Sequence, residues 1–271
     1  MENKELIRFL QEKNLSVKKR FLQMYYVAKA GHIGSSLSCA EILTFVRLGW
    51  MQGDDQLVLS KGHAAAALYS VLAEAGDIAE DQIASFYKNN TLLSAHPPVN
   101  KLKGVPFATG SLGHGLSLAA GLGMAGKLKK NDNKVFCITS DGEINEGSTW
   151  EAALFIVSHQ LKNVVWFIDR NRLQGFGTTE EVMQLEPLED KLIAFGFETM
   201  QINGHDFQAA LQVKEHYPHI TKPLAVICNT IKGNGWEDMQ DTLDCHYLPF
   251  KENQYEKIIH NLEQSSGQQA L

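Results

Sequence analysis

The chain has 271 residues, 44% hydrophobic and 21% charged, with a formal net charge of −6. This describes a globular protein able to bury a sizeable core, and with no Lys/Arg run it offers no nucleic-acid footprint. No apolar run approaches the ~20 residues of a membrane span, and the charged start MENKELIRFLQEKN lacks the apolar stretch of a signal peptide, so a cytoplasmic protein with no membrane contact is expected.

In chain order, residues 5–30 read as a helix, with Leu6, Leu10, Phe21, Met24 and Tyr25 at helical spacings. A glycine-bearing loop, GHIGSS (31–36), follows, and Cys39–Trp50 again reads as helical. Leu57-Val58-Leu59 is a short apolar run ending in Ser60-Lys61-Gly62-His63. Residues 64–75 have high helix propensity and stop at Gly76. The stretch 94–115 is rich in turn residues. Residues 115–128, GLSLAAGLGMAGKL, read as a small-residue helix whose glycine content must be repaid by close packing. Lys134–Thr139, Val164–Ile168 and Leu224–Asn229 are buried-strand candidates, and a helical stripe over 148–161 lies between the first two. Apolar runs alternating with helical segments predict an α/β fold, a mostly parallel sheet with helices on both faces, in a single domain over 1–271 that opens with a helical segment. The polar stretch 251–271 is expected to be a surface helix or tail. Cys39, Cys137, Cys228 and Cys245 form no C-x-x-C pair, so they are read as buried, reduced thiols.

Two strand ends offer hard oxygen ligands. Asp141 follows the 134–139 run and Asn171 follows the 164–168 run, 30 residues later. One βαβ crossover fits between them, which would bring both to adjacent strand ends. Ligands of open α/β sheets sit at such ends. Mg²⁺ takes one or two protein oxygens together with phosphate oxygens, so the pair suits a Mg²⁺–diphosphate. Gly142 would let the backbone approach the phosphates. Taken alone, Asp-Gly after a strand is more often a plain turn.

Ser140-Asp141-Gly142, then about thirty residues, then Asn171 resembles the metal motif of thiamine-diphosphate enzymes. The wording DGEINEGSTWEAALF (141–155) looks like the transketolase family, whose diphosphate-binding (N-terminal) half the chain resembles from about residue 20 to 250. Gly31-His32-Ile33-Gly34, Ser60-Lys61-Gly62-His63, Ala95-His96-Pro97, Thr109–Gly115 and Thr230–Gly235 with His246 carry the likeness. The resemblance implies a thiamine-diphosphate-binding fold with thiamine diphosphate as cofactor. It implies a divalent cation, Mg²⁺ with Ca²⁺ or Mn²⁺ as substitutes, on Asp141, Asn171 and the carbonyl of Leu173. It implies cofactor contacts from His63, Gly110, Ser111, Leu112, Gly142, Glu143, Asn171 and His246, and it sets Glu146 near a subunit interface. Ser140 in place of glycine, Ile33 in place of proline and Tyr247 in place of glycine depart from the family pattern.

His32, His63, His96 and His246 each stand in a loop, most of them beside glycine or proline, and are expected to line one polar cleft as catalytic groups. Neutral imidazole can donate and accept near pH 7, which suits ketose hydroxyls and their protons. His114 is ambiguous, and His159, His205, His216, His219 and His260 are read as structural or exposed. In the family, the glutamate serving the aminopyrimidine, an aromatic clamp and the sugar-phosphate grip lie in a second domain, and no second set of strands follows residue 250. The expectation is therefore a heteromer, a heterotetramer with a separate C-terminal, pyrimidine-binding subunit, that moves a two-carbon ketol unit between sugar phosphates. Alternatives are a 1-deoxyxylulose-5-phosphate synthase-like or 2-oxoacid dehydrogenase α-like subunit, and a non-catalytic cofactor-binding partner.

Overall fold

A computed structural model describes residues 2–99, 101–251 and 253–268. Helix α1 (Asn3–Ala28) starts at a capping pair, Glu2 N–H donating to the Glu5 carboxylate, and stops where Lys29 turns left-handed. Its stripe of Leu10, Val17, Phe21, Leu22 and Tyr25 is buried. Helix α2 (Ile33–Thr44) begins two residues past Gly31, so the segment expected as a loop over 31–36 is mostly helix. Ile33 fills the first helical position, where proline is also tolerated, and it is fully buried. A π-type segment, Phe45–Trp50, continues from α2.

Strand β1 (Gln56–Leu59) and helices α3 (Ala65–Glu74) and α4 (Glu80–Ile83) come next, then an irregular stretch to α5 (Gly115–Lys129). Strand β2 (Val135–Ser140), α6 (Gly147–Ser158) and β3 (Val164–Arg170) form the crossover expected between Asp141 and Asn171. Helices α7 (Thr179–Val182) and α8 (Leu188–Phe195), strand β4 (Glu198–Asn203), helix α9 (Phe207–His216), strand β5 (Leu224–Asn229) and helices α10 (Asp244–Tyr247) and α11 (Gln254–Gln268) complete the chain. Helix α11 falls within the stretch expected as a surface helix or tail; residues 269–271 lie outside the described residues.

The five strands are all parallel in the order β1-β2-β3-β5-β4. Every residue of β2 is buried and nearly every one of β3, as strands covered on both faces must be. Alternation divides them. Phe136, Ile138, Val165, Phe167 and Val226 meet the layer that contains α1, α2 and α3. Val135, Cys137, Val164, Trp166 and Ile227 meet the layer of α5, α6 and α8. Trp166 is fully buried and donates its indole N–H to the Thr139 hydroxyl at 2.8 Å. Close packing repays part of the glycine content of α5: a side chain at Gly123 would strike Val164 and one at Gly115 would strike Ser60, whereas Gly121 faces open space. All four cysteines are free and buried.

Strand β4 is not expected from the sequence. It is the sheet edge, with Glu198, Thr199 and Gln201 half-buried or exposed, so it carries no continuous apolar run. Because the sheet is parallel, the exits of β1, β2, β3 and β5 open on one side, where the site residues gather.

Candidate functional site

The register pairs Ser140 with Asp169, so Asp141 and Asn171 leave adjacent strands side by side. The Asp141 carboxylate is buried and accepts backbone N–H groups from Gly142 at 2.8 Å and Arg172 at 2.5 Å. Burial, and then the neighbouring Asp169 carboxylate, push Asp141 up to about 6. The Asn171 amide oxygen accepts from the Leu173 N–H at 3.1 Å. The Leu173 carbonyl turns to the same corner and accepts from the Lys232 ammonium at 2.6 Å. Lys232 is almost completely buried; desolvation, and then Lys61, lower it to about 8. Lysine is seldom buried without a partner. Here a cation already rests on an oxygen that the family resemblance assigns to a metal.

Behind this corner Asp169, fully buried, accepts from the Lys61 ammonium, from the Ser38 hydroxyl at 2.6 Å and from the Thr230 hydroxyl. Lys61 also donates to the Ser35 carbonyl at 3.0 Å. Burial alone would raise Asp169, but Lys61 and these donors outweigh it and hold the carboxylate below its ordinary range. A buried pair is stable only when its remaining valences are met in this way. It locks the exits of β1, β3 and β5 to α2.

The 109–115 loop packs against the β1 exit because Gly62 has no side chain: a Cβ there would lie 2.6 Å from the Thr109 carbonyl. Gly110 adopts φ 144°, with His96 against it. The Glu143 carboxylate is buried and turned inward, accepting from the Ser60 hydroxyl, Gly113 N–H at 2.9 Å and Ser140 N–H at 3.0 Å. Its side chain therefore anchors the Gly113 turn of that loop. Gly142 and Leu112 are half-buried, and Ser111 and Glu146 are exposed.

His32, His63, His96 and His246 come together. Ring centroids of His32 lie 5.6 Å from His63, 6.0 Å from His96 and 5.1 Å from His246. His63 lies 5.5 Å from His246. His32 caps α2 in a left-handed conformation and donates its N–H to the His246 carbonyl at 2.8 Å. The adjoining Gly31 is needed, since a Cβ would meet the Tyr247 carbonyl at 2.3 Å. Burial keeps the imidazoles neutral. His32 is lowered to about 4, by burial and then His96, and His246 to about 3, by burial and then Lys232. His63 falls well below its ordinary value and His96 is lowered too, in both cases first by burial. Tyr247 donates its hydroxyl to the Gly175 carbonyl at 2.7 Å, tying the His246 segment to the loop after Leu173. His114 stays outside the cluster, exposed, its Nδ1 near the Ser111 and Leu112 carbonyls.

The family model for the transketolase thiamine diphosphate binding domain matches residues 11–267. The chain belongs to the transketolase family. It is 36% identical over 270 residues to an apulose-4-phosphate transketolase subunit of Phocaeicola vulgatus, covering 96% of this chain and 95% of that one. A 6-deoxy-6-sulfo-D-fructose transketolase subunit of Clostridium sp. is 34% identical over 95% of this chain and 98% of its own. Human transketolase is 35% identical over 89% of this chain but only 40% of its own length. The fold superposes on transketolase from Campylobacter jejuni with a TM-score of 0.86 at 28% identity, covering 97% of this chain and 43% of the other. Transketolase relatives therefore match this chain either as a whole subunit or as two-fifths of a longer chain. They favour the transketolase reading over the synthase, dehydrogenase and non-catalytic alternatives.

Sequence reasoning misses Lys232, Asp169 and Lys61 as individual residues. Lys61 and Lys232 lie inside quoted motifs and Asp169 directly follows the 164–168 run, and the signal available was a lone charge in an apolar or glycine-rich context at a strand end. Among the described residues, no group of three or more His, Cys, Asp or Glu side chains is arranged to hold a metal, and no helix is long and apolar enough to cross a membrane. A cavity of about 270 Å³ lined by Arg47, Asp77 and Lys103 opens at the opposite, entry side of β1, where these charges pair with one another.

Proposed function

We propose that this chain is the diphosphate-binding subunit of a split transketolase, a single domain that transfers a two-carbon ketol unit from a ketose phosphate to an aldose phosphate once a pyrimidine-binding subunit joins it. The observation that carries the reading is the meeting of four neutral imidazoles with a buried oxygen corner fed by two strand ends. The residues fit a Mg²⁺–thiamine diphosphate. Asp141, the Asn171 amide and the Leu173 carbonyl offer hard oxygens, and a divalent cation would relieve the repulsion between Asp141 and Asp169. Thr109 Oγ1, Gln174 Nε2 and His246 Nδ1 are buried around the corner with no hydrogen-bond partner among the described residues, as expected of groups awaiting a ligand.

When bound, thiamine diphosphate supplies the nucleophilic carbon and electron sink that cleave the ketose carbon–carbon bond. Asp141, Asn171 and the Leu173 carbonyl would hold the cation, and the buried Lys232 ammonium beside them would offer a positive charge to the diphosphate. Gly110, Ser111, Leu112 and Gly142 support the cofactor by backbone contacts. His32, His63, His96 and His246 orient the sugar hydroxyls and move their protons, which neutral imidazoles can do in either direction.

The test coexpresses the chain with a candidate pyrimidine-binding subunit and supplies xylulose 5-phosphate with an aldose phosphate, or pyruvate, as donor. Two-carbon transfer from the ketose, absent when either chain is assayed by itself, supports the proposal. Turnover of pyruvate and not of the ketose contradicts it. In the assembled enzyme, His63→Ala slows transfer at least tenfold and spares cofactor retention.

A further inference from the structure

The turn between β4 and α9 is built against the exit of β5. The Gly204 N–H donates to the Asn229 carbonyl at 2.9 Å, and a side chain at Gly204 would strike the Thr230 methyl at 2.5 Å. The next residue, His205, is largely enclosed and bonds at both ring nitrogens. Its Nε2 accepts the backbone N–H of Ile231 at 2.9 Å. Its Nδ1 lies 3.0 Å from the Glu41 carboxylate. A backbone N–H can only donate, so Nε2 is the bare nitrogen and Nδ1 carries the proton. Glu41 is the acceptor for that proton. Burial would raise Glu41, but Lys18, at 2.6 Å, and His205 outweigh it and hold the group ionised, at about 2. The nearby Asn234 amide, 3.1 Å from Nδ1, must then present its oxygen.

Ile231 stands between Thr230, whose hydroxyl reaches Asp169, and Lys232, whose ammonium reaches the Leu173 carbonyl. Glu41 lies one turn along α2 from Ser38, which also bonds Asp169. We propose that His205, fixed in one tautomer by Glu41, is a positioning residue that pins the Ile231 backbone and so aims Thr230 and Lys232 at the cofactor corner. The inference rests on the functional reading above for what the corner binds, but its structural half does not need a ligand. His205 touches neither cofactor nor substrate.

Hydrogen exchange on the full chain without cofactor tests the pin. His205→Asn keeps a donor near the Nδ1 position and has no acceptor where Nε2 stood. It speeds exchange of the segment containing Ile231 at least tenfold. His205→Gln, whose amide oxygen reaches the Nε2 position, restores protection. In the enzyme assembled with its partner subunit, His205→Asn weakens thiamine diphosphate binding about tenfold in the presence of Mg²⁺, the size of one hydrogen bond lost. It leaves kcat at saturating cofactor within about twofold, a split that general destabilisation would not produce. The unsubstituted chain, labelled with ¹⁵N-histidine, shows His205 with its proton on Nδ1, an arm that needs no variant. A proton on Nε2, or unchanged exchange in His205→Asn, overturns the pin. A His205→Asn enzyme that binds cofactor like the wild type overturns the positioning role. Failure of the unsubstituted enzyme to bind thiamine diphosphate overturns the functional reading.

Discussion

Asp141→Asn should remove a pH-dependent cost from the ligand-free chain while abolishing the site. Asp141 is fully enclosed and its carboxylate is pushed from 3.8 to about 6, first by burial and then by Asp169. A native-state value above the unfolded one means that ionising the group costs folding free energy. The native state has its full share of stability from this group below about 4, and loses it as the pH rises through about 6. The displacement corresponds to about 3 kcal/mol at about 1.4 kcal/mol per pH unit. An amide is spared that cost at every pH, but its nitrogen cannot accept, so one of the Gly142 and Arg172 N–H groups loses its partner, a loss of about 1–3 kcal/mol that does not vary with pH. Without metal or cofactor, the stability of Asp141→Asn relative to wild type is therefore expected to rise by about 3 kcal/mol between pH 4 and pH 8, roughly 6–12 °C in Tm for a chain of this size. Most of the rise falls between pH 4 and 6. Adding Mg²⁺ and thiamine diphosphate raises the Tm of the wild-type enzyme and leaves that of the variant unmoved, because an amide cannot offer the cation a charge. Urea titration and thermal scans across pH 4–8 provide the readout. A stability difference between variant and wild type that stays constant from pH 4 to 8 would refute the reasoning, because it would mean that Lys61 and Lys232 offset the burial of the charge.

Lys232→Met frees the Leu173 carbonyl and removes a buried ammonium, so it should weaken thiamine diphosphate binding by at least tenfold, measured by titration at fixed Mg²⁺. The effect should be larger at pH 7 than at pH 9, where Lys232, lowered to about 8, has largely lost its own charge. Gly34→Ala would force a methyl to within 2.3 Å of the Cys245 sulfur. It should cost about 1–3 kcal/mol of stability and shift His246, read by urea unfolding and by slower transfer.

Much of this site was legible because its parts are short-range in sequence or dictated by topology. Strands β2 and β3 announce themselves as continuous apolar runs, since both faces of each are covered. The spacing from Asp141 to Asn171 admits one crossover, and a parallel neighbour pair must then set both at the same end of the sheet. Glycines and prolines beside the histidines marked loops, and loops at strand exits converge. Strand β4 was not legible: as the sheet edge it mixes Glu198, Thr199 and Gln201 with Met200 and Ile202 and follows no clear period. The inward turn of Glu143, the placement of Lys232 on the Leu173 carbonyl and the bond from Ile231 to His205 depend on which loops meet. Pattern and propensity are local, and those meetings join residues far apart in the chain. His205 illustrates the point, since its ring joins the β5 exit to Glu41 of α2, which lies 164 positions before it in sequence.

On the proposed function, Asp141, Asn171 and Leu173 clasp one divalent cation against the diphosphate of thiamine diphosphate. The most direct measurement is a crystal structure of the chain assembled with its partner subunit, grown with Mn²⁺ and thiamine diphosphate and read by anomalous scattering. The account predicts a single anomalous peak within about 2.0–2.4 Å of the Asp141 carboxylate, the Asn171 amide oxygen and the Leu173 carbonyl, with Lys232 drawn away from that carbonyl. A cofactor bound elsewhere, or a peak absent from this corner while Lys232 still rests on Leu173, would contradict it.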